Sequence, residues 1–201
     1  MLNSQRAHNN VSQRGPCQVA VRGRPPARPR STEPARHGEH VNHSQLLKRL
    51  DTRWQELLAS YAGLSETELG EPGVTGAWSV KDIVAHVTAW EAEALTHLPE
   101  ILVGRKPPRY SVTHGGIDAF NAQMTERTRG LSLAEVLQRR DDTHRRLVTY
   151  LEGLPAAALA GETRARRRLR LDTYGHYAVH TKAIRTWRER RSPVQRFRAH
   201  S

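Results

Sequence analysis

WSVKDIVAHVTAWEAEALTHLPEI (78–101) decides the fold. Ile83, Val84, Val87, Trp90, Ala94, Leu98 and Ile101 recur at three- and four-residue steps, which draws one apolar stripe on an α-helix. Ser79 with Asp82 three residues on is a capping-box pair, Asp standing for the usual Glu, so the helix is expected to open at Ser79. Pro99 has no N–H to give and is expected to kink or fray the far end.

The same periodicity extends outward. LLKRLDTRWQELLASYAGL (46–64) places Leu46, Leu47, Leu50, Trp54, Leu57, Leu58 and Tyr61 on one face, with Gly63 as its stop. Ser65 and Glu68 predict a short capped turn of helix. Residues 104–116 (GRKPPRYSVTHGG) predict a loop, followed by a shorter helix through Ile117, Phe120 and Met124 that stops near Gly130. Ser132 and Glu135 cap a helix through Val136, Leu137, Leu147, Val148 and Leu151, ending around Gly153–Pro155. A last long helix is expected over 172–191. No segment alternates with period two for long enough to argue a strand. The expected fold class is therefore all-α, a four-helix bundle over residues 43–191, with the 117–130 helix an insertion or the broken first half of the third helix.

The hydrophobic fraction of 37% is low for a globular chain of 201 residues, which implies that part of it does not fold. RGRPPARPRSTEPARHGE (22–39) has no hydrophobic period, so residues 1–42 are expected to be a disordered basic tail and 192–201 a second tail. The net charge of +12 is concentrated at the ends: seven Arg against two Glu in residues 1–45, five Arg against one Glu in 188–201. The basicity thus says little about the folded domain, and nucleic acid is not expected as a partner, although a basic-tailed nucleic-acid-binding protein stands as a third function class. No apolar run approaches the ~18 residues of a membrane span, and no secretory signal is readable. Cys17 is the only cysteine; with no internal disulfide to make, it fits the cytoplasm.

Eleven histidines make coincidental spacings common. His176 and His180 nevertheless stand four apart in DTYGHYAVHTKAIRTW (172–187), one turn apart on one helical face. On a helical wheel His180 falls within the apolar sector and His176 at its flank, and His86 lies about 60° from Ile83, beside the core stripe of its own helix. Three imidazoles from two helices could fill three corners of a metal's coordination sphere and leave the fourth open. Spacing alone leaves open, and favours, the alternative of core-boundary histidines bonded to backbone or carboxylate. Asp82, one turn before His86, could orient that imidazole or act as a base, with helix capping as its other reading. Tyr177 could donate to a developing oxyanion, with core packing as its other reading. Trp90 could line a pocket, and TRARRRLR (163–170) could draw in an anionic substrate or be a solvated charged loop.

The run WSVKDIVAHVTAWE (78–91) resembles the second-helix motif of the DinB/YfiT-like superfamily of metalloenzymes, and within it the ClbS/DfsB-type four-helix-bundle proteins. LLKRLDTRWQELLA (46–59), DAFNAQ (118–123), LSLAEVLQRRDDTHRRL (131–147) and TYGHYAVHTKAIRTW (173–187) add to the likeness, which spans about Leu46 to Trp187. The resemblance implies an up-down-down-up bundle and metal ligands at His86, His176 and His180. It further implies a divalent ion, zinc or nickel foremost, and with it a low-molecular-weight thiol as cofactor. The function it implies is a metal-dependent hydrolase or thiol-dependent S-transferase acting on a small electrophilic substrate. Its alternative is a metal-free self-protection protein of ClbS type that binds or hydrolyses a reactive small molecule. A homodimer is left open. Two departures stand out: the segment AGETRARRRLRL (160–171) is short and very basic, and Gly175 occupies a place suited to a helix former, so its fraying would loosen His176.

Overall fold

The computed structural model describes residues 42–191. The expected tails over 1–41 and 192–201 lie outside the described residues. Asn42, placed in the tail by its sequence, instead caps the first helix: its side chain accepts from Gln45 N while its own N–H donates to Gln45 Oε1.

Among the described residues eight helices run in order: α1 (His43–Tyr61), α2 (Glu66–Gly70), α3 (Val80–Leu102), α4 (Tyr110–Thr113), α5 (Ile117–Thr128), α6 (Leu133–Glu152), α7 (Arg164–Asp172) and α8 (Tyr174–Arg191), with a 3-10 turn at Ala156–Leu159. No strand occurs among the described residues beyond an isolated bridge between Thr75 and Trp78. The predicted caps are in place: Ser65 with Glu68, Ser79 with Asp82 and Ser132 with Glu135 each form a reciprocal box. Such a cap contributes about 1 kcal/mol by satisfying N–H groups that the first turn cannot. Gly63 follows α1 at φ +78°, a conformation that costs side-chain-bearing residues energy. Pro99 does not end α3, which continues to Leu102. Only one turn remains beyond it, so a single backbone bond is lost.

The long helices α1, α3, α6 and α8 form the bundle, and cross-helix bonds fix their directions. Lys81 Nζ at the start of α3 donates to the Leu131 carbonyl just before α6, and Glu91 of α3 meets His144 of α6, so these two helices run parallel. His43 at the start of α1 contacts the Leu151 carbonyl at the end of α6, and Tyr61 at the end of α1 accepts from Arg140 near the start of α6, so α1 is antiparallel to α6. Arg188 near the end of α8 donates to the Ser60 and Ala62 carbonyls at the end of α1, so α8 runs with α1. The result is up-down-down-up. Leu46, Leu50 and Leu57 of α1, Val80, Ile83, Val87, Ala94 and Leu98 of α3, Leu147 and Leu151 of α6, and Tyr177 and Ile184 of α8 form its interior, each at most 2% exposed.

Three expectations require correction. The last long helix is not continuous over 172–191: it breaks at Thr173 (φ −132°, ψ −110°). The basic run before the break is not a solvated loop but the helix α7, which buries Ala165, Arg166, Leu169 and Asp172 and packs on α3 and α8. Its remaining arginines conceal a short amphipathic stripe. Gly175 does not fray α8. A Cβ built there would stand 2.7 Å from the Arg170 carbonyl oxygen, so the absence of a side chain is what lets the end of α7 close on the start of α8.

Candidate metal centre

His86 sits in the second turn of α3, and His176 and His180 sit one turn apart at the start of α8. Because α3 and α8 run antiparallel, the three meet. Nε2 of His176 is 3.0 Å from Nε2 of His86 and 2.9 Å from Nε2 of His180, and the candidate ligand nitrogens all lie within 4.8 Å of one another. A tetrahedral ion with bonds of about 2.0–2.1 Å separates its ligand nitrogens by about 3.3–3.4 Å. Two of the three nitrogen separations therefore lie within about half an ångström of the spacing a tetrahedral ion requires.

Electrostatics suits the same use. Burial, reinforced by the two neighbouring imidazoles, pushes His86 down to about 3; burial and His180 push His176 to about 3, against the Asp172 backbone carbonyl; burial alone pushes His180 to about 4. All three are therefore neutral at pH 7, the form that ligates. The buried Nδ1 atoms of His86 and His180 meet no hydrogen-bond partner among the described residues, so the outer support usual for ligating histidines is absent at these two. Instead the rings are held by packing: His86 lies between Trp78, with centroids 4.7 Å apart, and Trp90, 6.3 Å away.

A cavity of about 320 Å³ opens beside the cluster, lined by His86, His176, Trp90, Tyr110, Ile117, Asn121, Arg168, Leu171 and Asp172. Trp90 Nε1 donates to Asn121 Oδ1 at 3.2 Å, which fixes the indole against α5. Arg168 forms the cationic part of the wall. Its Nε donates to Asp172, its Nη2 donates to Tyr110 Oη at 2.7 Å, and its guanidinium lies 5.5 Å from the Tyr110 ring centroid and 5.9 Å from that of Trp90. Burial raises Asp172 to about 7 in spite of Arg168. Burial and donation to Glu93 raise the Tyr110 hydroxyl.

The two residues expected to be catalytic are placed otherwise. Asp82 does not orient His86: its carboxylate accepts from the Ser79 N–H and hydroxyl, closing the cap of α3. Tyr177 does not reach the cavity. It is fully buried, and its hydroxyl donates to Glu91, whose Oε1 also lies 2.8 Å from His144 Nδ1. Arg168 lies in the 163–170 run that could draw in an anionic substrate but is not singled out there, while Asp172 at an expected helix start and Tyr110 in an expected loop carry no sequence signal. Trp90 lines the cavity as expected.

An up-down-down-up bundle with three histidines from its second and fourth long helices defines a DinB-type fold. The DinB superfamily model matches residues 49–182, and the chain belongs to that superfamily. Solved structures share the fold. The colibactin self-resistance protein ClbS, crystallised in complex with double-stranded DNA, is 15% identical at TM-score 0.61, with 73% of this chain and 94% of ClbS covered. DfsB, described as a sibling lethal factor precursor, is 14% identical at TM-score 0.63, covering 76% and 98%. An uncharacterised protein from Escherichia coli is 14% identical at TM-score 0.61, covering 75% and 94%. Among curated proteins none matches.

Proposed function

We propose that the chain is a divalent-metal-dependent enzyme, a hydrolase or thiol-dependent S-transferase acting on a small electrophilic molecule, with His86, His176 and His180 as the metal ligands. The observation that carries this is the convergence of three neutral imidazole nitrogens from two helices, with His86 and His176 on the wall of a cavity. Membership of a superfamily that is often metal-binding supports it. A divalent ion such as zinc or nickel held by these three imidazoles would supply Lewis acidity, with a low-molecular-weight thiol as its co-substrate in the S-transferase case. The chain's own residues do the rest. Trp78 and Trp90 screen the cluster, and the half-exposed side chains of Ile117 and Leu171 offer an apolar seat at the cavity mouth.

Elemental analysis of protein purified without a histidine tag tests the reading. Stoichiometric metal is expected in the wild type, and its loss is expected in both His86→Ala and His180→Ala with helical circular dichroism retained. Full occupancy in both variants refutes the triad.

A second reading follows from the likeness to ClbS: self-protection by binding or hydrolysing a reactive small molecule without a metal. Activity undiminished after complete metal removal decides for it. A nucleic-acid partner belongs with this reading. ClbS is seen on DNA, and α7 presents exposed Arg164, Arg167 and Arg170 beside the exposed Arg105, Lys106 and Arg109. No described helix is long and apolar enough to cross a membrane.

A further inference from the structure

We propose that Arg168 is the anchor for a carboxylate on the cavity's substrate, so that the site takes a small monoanion with an apolar body. This rests on the reading of the cavity as a substrate site. Among the described residues Arg168 is the only Lys or Arg lining the cavity, and four neighbouring residues hold it: Asp172 and Tyr110 by hydrogen bonds, Trp90 and Tyr110 by their ring faces, and Glu93 Oε2 at 3.7 Å from Nη2. A guanidinium has five N–H donors. Those of Nε and one of Nη2 are committed, while Nη1 makes no hydrogen bond among the described residues. The side chain is 15% exposed, and Nη1 keeps some access to water at the cavity wall. A planar carboxylate can accept charge-assisted hydrogen bonds from these donors in the fork geometry that a guanidinium presents.

Charge limits the class further. Glu93 also accepts from the Tyr110 hydroxyl and contacts His97 Nε2 at 3.1 Å, so its charge is shared away from Arg168. One guanidinium already paired with the Asp172 carboxylate is poorly matched to a phosphate dianion and can offer only its remaining donors to a single carboxylate. The remainder of the lining, namely Trp90, the Tyr110 ring, Ile117 and Leu171, is apolar or aromatic, and Ile117 and Leu171 are 55% and 61% exposed at the mouth. The molecule that complements these walls carries its carboxylate to Arg168, lays a hydrocarbon or aromatic body against Trp90, and presents its reactive centre to the histidine cluster.

Phenylacetate and 2-phenylethanol, which share a body and differ in the head group, serve as probes in calorimetric titrations of the full chain, zinc-loaded and metal-free. The metal-free wild type is expected to bind phenylacetate at least about tenfold more tightly than the alcohol, as charge-assisted hydrogen bonds imply. Arg168→Gln is expected to abolish that preference while its zinc content stays at the wild-type value. Arg168→Lys keeps the charge without the fork and should lose most of it; this variant carries the comparison if Arg168→Gln is misfolded by circular dichroism. No preference in the metal-free wild type, no binding of either probe, or a preference that survives both substitutions overturns the proposal. Metal content of the same samples separates the outcomes: a wild type that takes up no zinc defeats the metal reading and leaves the metal-free comparison intact.

Discussion

Replacing Glu91 is expected to be the most damaging single change in the described bundle. Its carboxylate is fully buried; it accepts from the Tyr177 hydroxyl and lies 2.8 Å from His144 Nδ1. The His144 ring in turn stacks on Trp54 with centroids 3.7 Å apart and planes 5° apart. One residue from each long helix thus joins a single contact chain: Trp54 of α1, Glu91 of α3, His144 of α6 and Tyr177 of α8. Glu91→Leu leaves the buried hydroxyl without an acceptor, which costs about 1–3 kcal/mol. It also strips the His144 imidazole of its hydrogen-bond partner, which adds about 1–3 kcal/mol. The two terms together give an expected destabilisation of about 2–6 kcal/mol, a large part of the ~5–15 kcal/mol of an ordinary domain. Glu91→Gln keeps the volume and an acceptor for Tyr177 and should cost about 1–2 kcal/mol. Urea unfolding followed by circular dichroism, with the slope held common to all variants, gives the comparison. Replacing all three polar members together (Glu91→Leu, His144→Leu, Tyr177→Phe) should recover much of the loss, since no buried polar group is then left alone. If Glu91→Leu lies within about 1 kcal/mol of the wild type, the network is not what ties the four helices, and the reasoning fails.

Gly175→Ala would ordinarily gain up to about 1 kcal/mol in a helix; here the new methyl meets the Arg170 carbonyl at 2.7 Å, so a net loss of about 1–3 kcal/mol is expected, with weakened metal binding by elemental analysis, and an unchanged or raised melting temperature would contradict it. The metal-free protein should lose stability as pH falls below about 6.5: the three imidazoles have folded pKa values of about 3, 3 and 4, so the unfolded chain binds more protons across that window. Asp172, raised to about 7, holds its proton in the folded state and opposes this by one proton, leaving a slope of at most about 2.7 kcal/mol per pH unit; a urea midpoint that does not fall between pH 7 and 5 would count against buried neutral histidines.

What the sequence made legible was whatever repeats locally. The α3 stripe from Ile83 to Leu98 is buried as its spacing requires, and the three Ser-x-x-Glu or Ser-x-x-Asp boxes are where they were expected. The histidine cluster was legible because the spacing of His176 and His180 fixes a shared face and His86 borders a core stripe. Long-range polar pairs carry no such signal. Nothing near Glu91 announces His144, 53 residues away, and nothing near Tyr177 separates a donor to Glu91 from a donor to a developing oxyanion. In α7 the composition misleads directly: only Ala165 and Leu169 supply an apolar stripe, and Arg166 and Arg168 are largely buried despite their charge.

The break at Thr173 turns a helix bundle into a site. The register of antiparallel α3 and α8 is sufficient to bring the imidazoles together, yet by itself it would leave His176 at the bare end of a helix. The break lets α7 lie along α3, with Arg164 donating to the Gly104 carbonyl and Arg168 to Tyr110. That placement sets Arg168, Leu171 and Asp172 beside His176 as a wall. It depends on the close approach at Gly175, the one position of α8 where a side chain would collide with the end of α7. The nitrogen cluster therefore depends on helix register and the cavity on the chain break, and a substitution at the junction should damage the cavity before it unfolds the bundle.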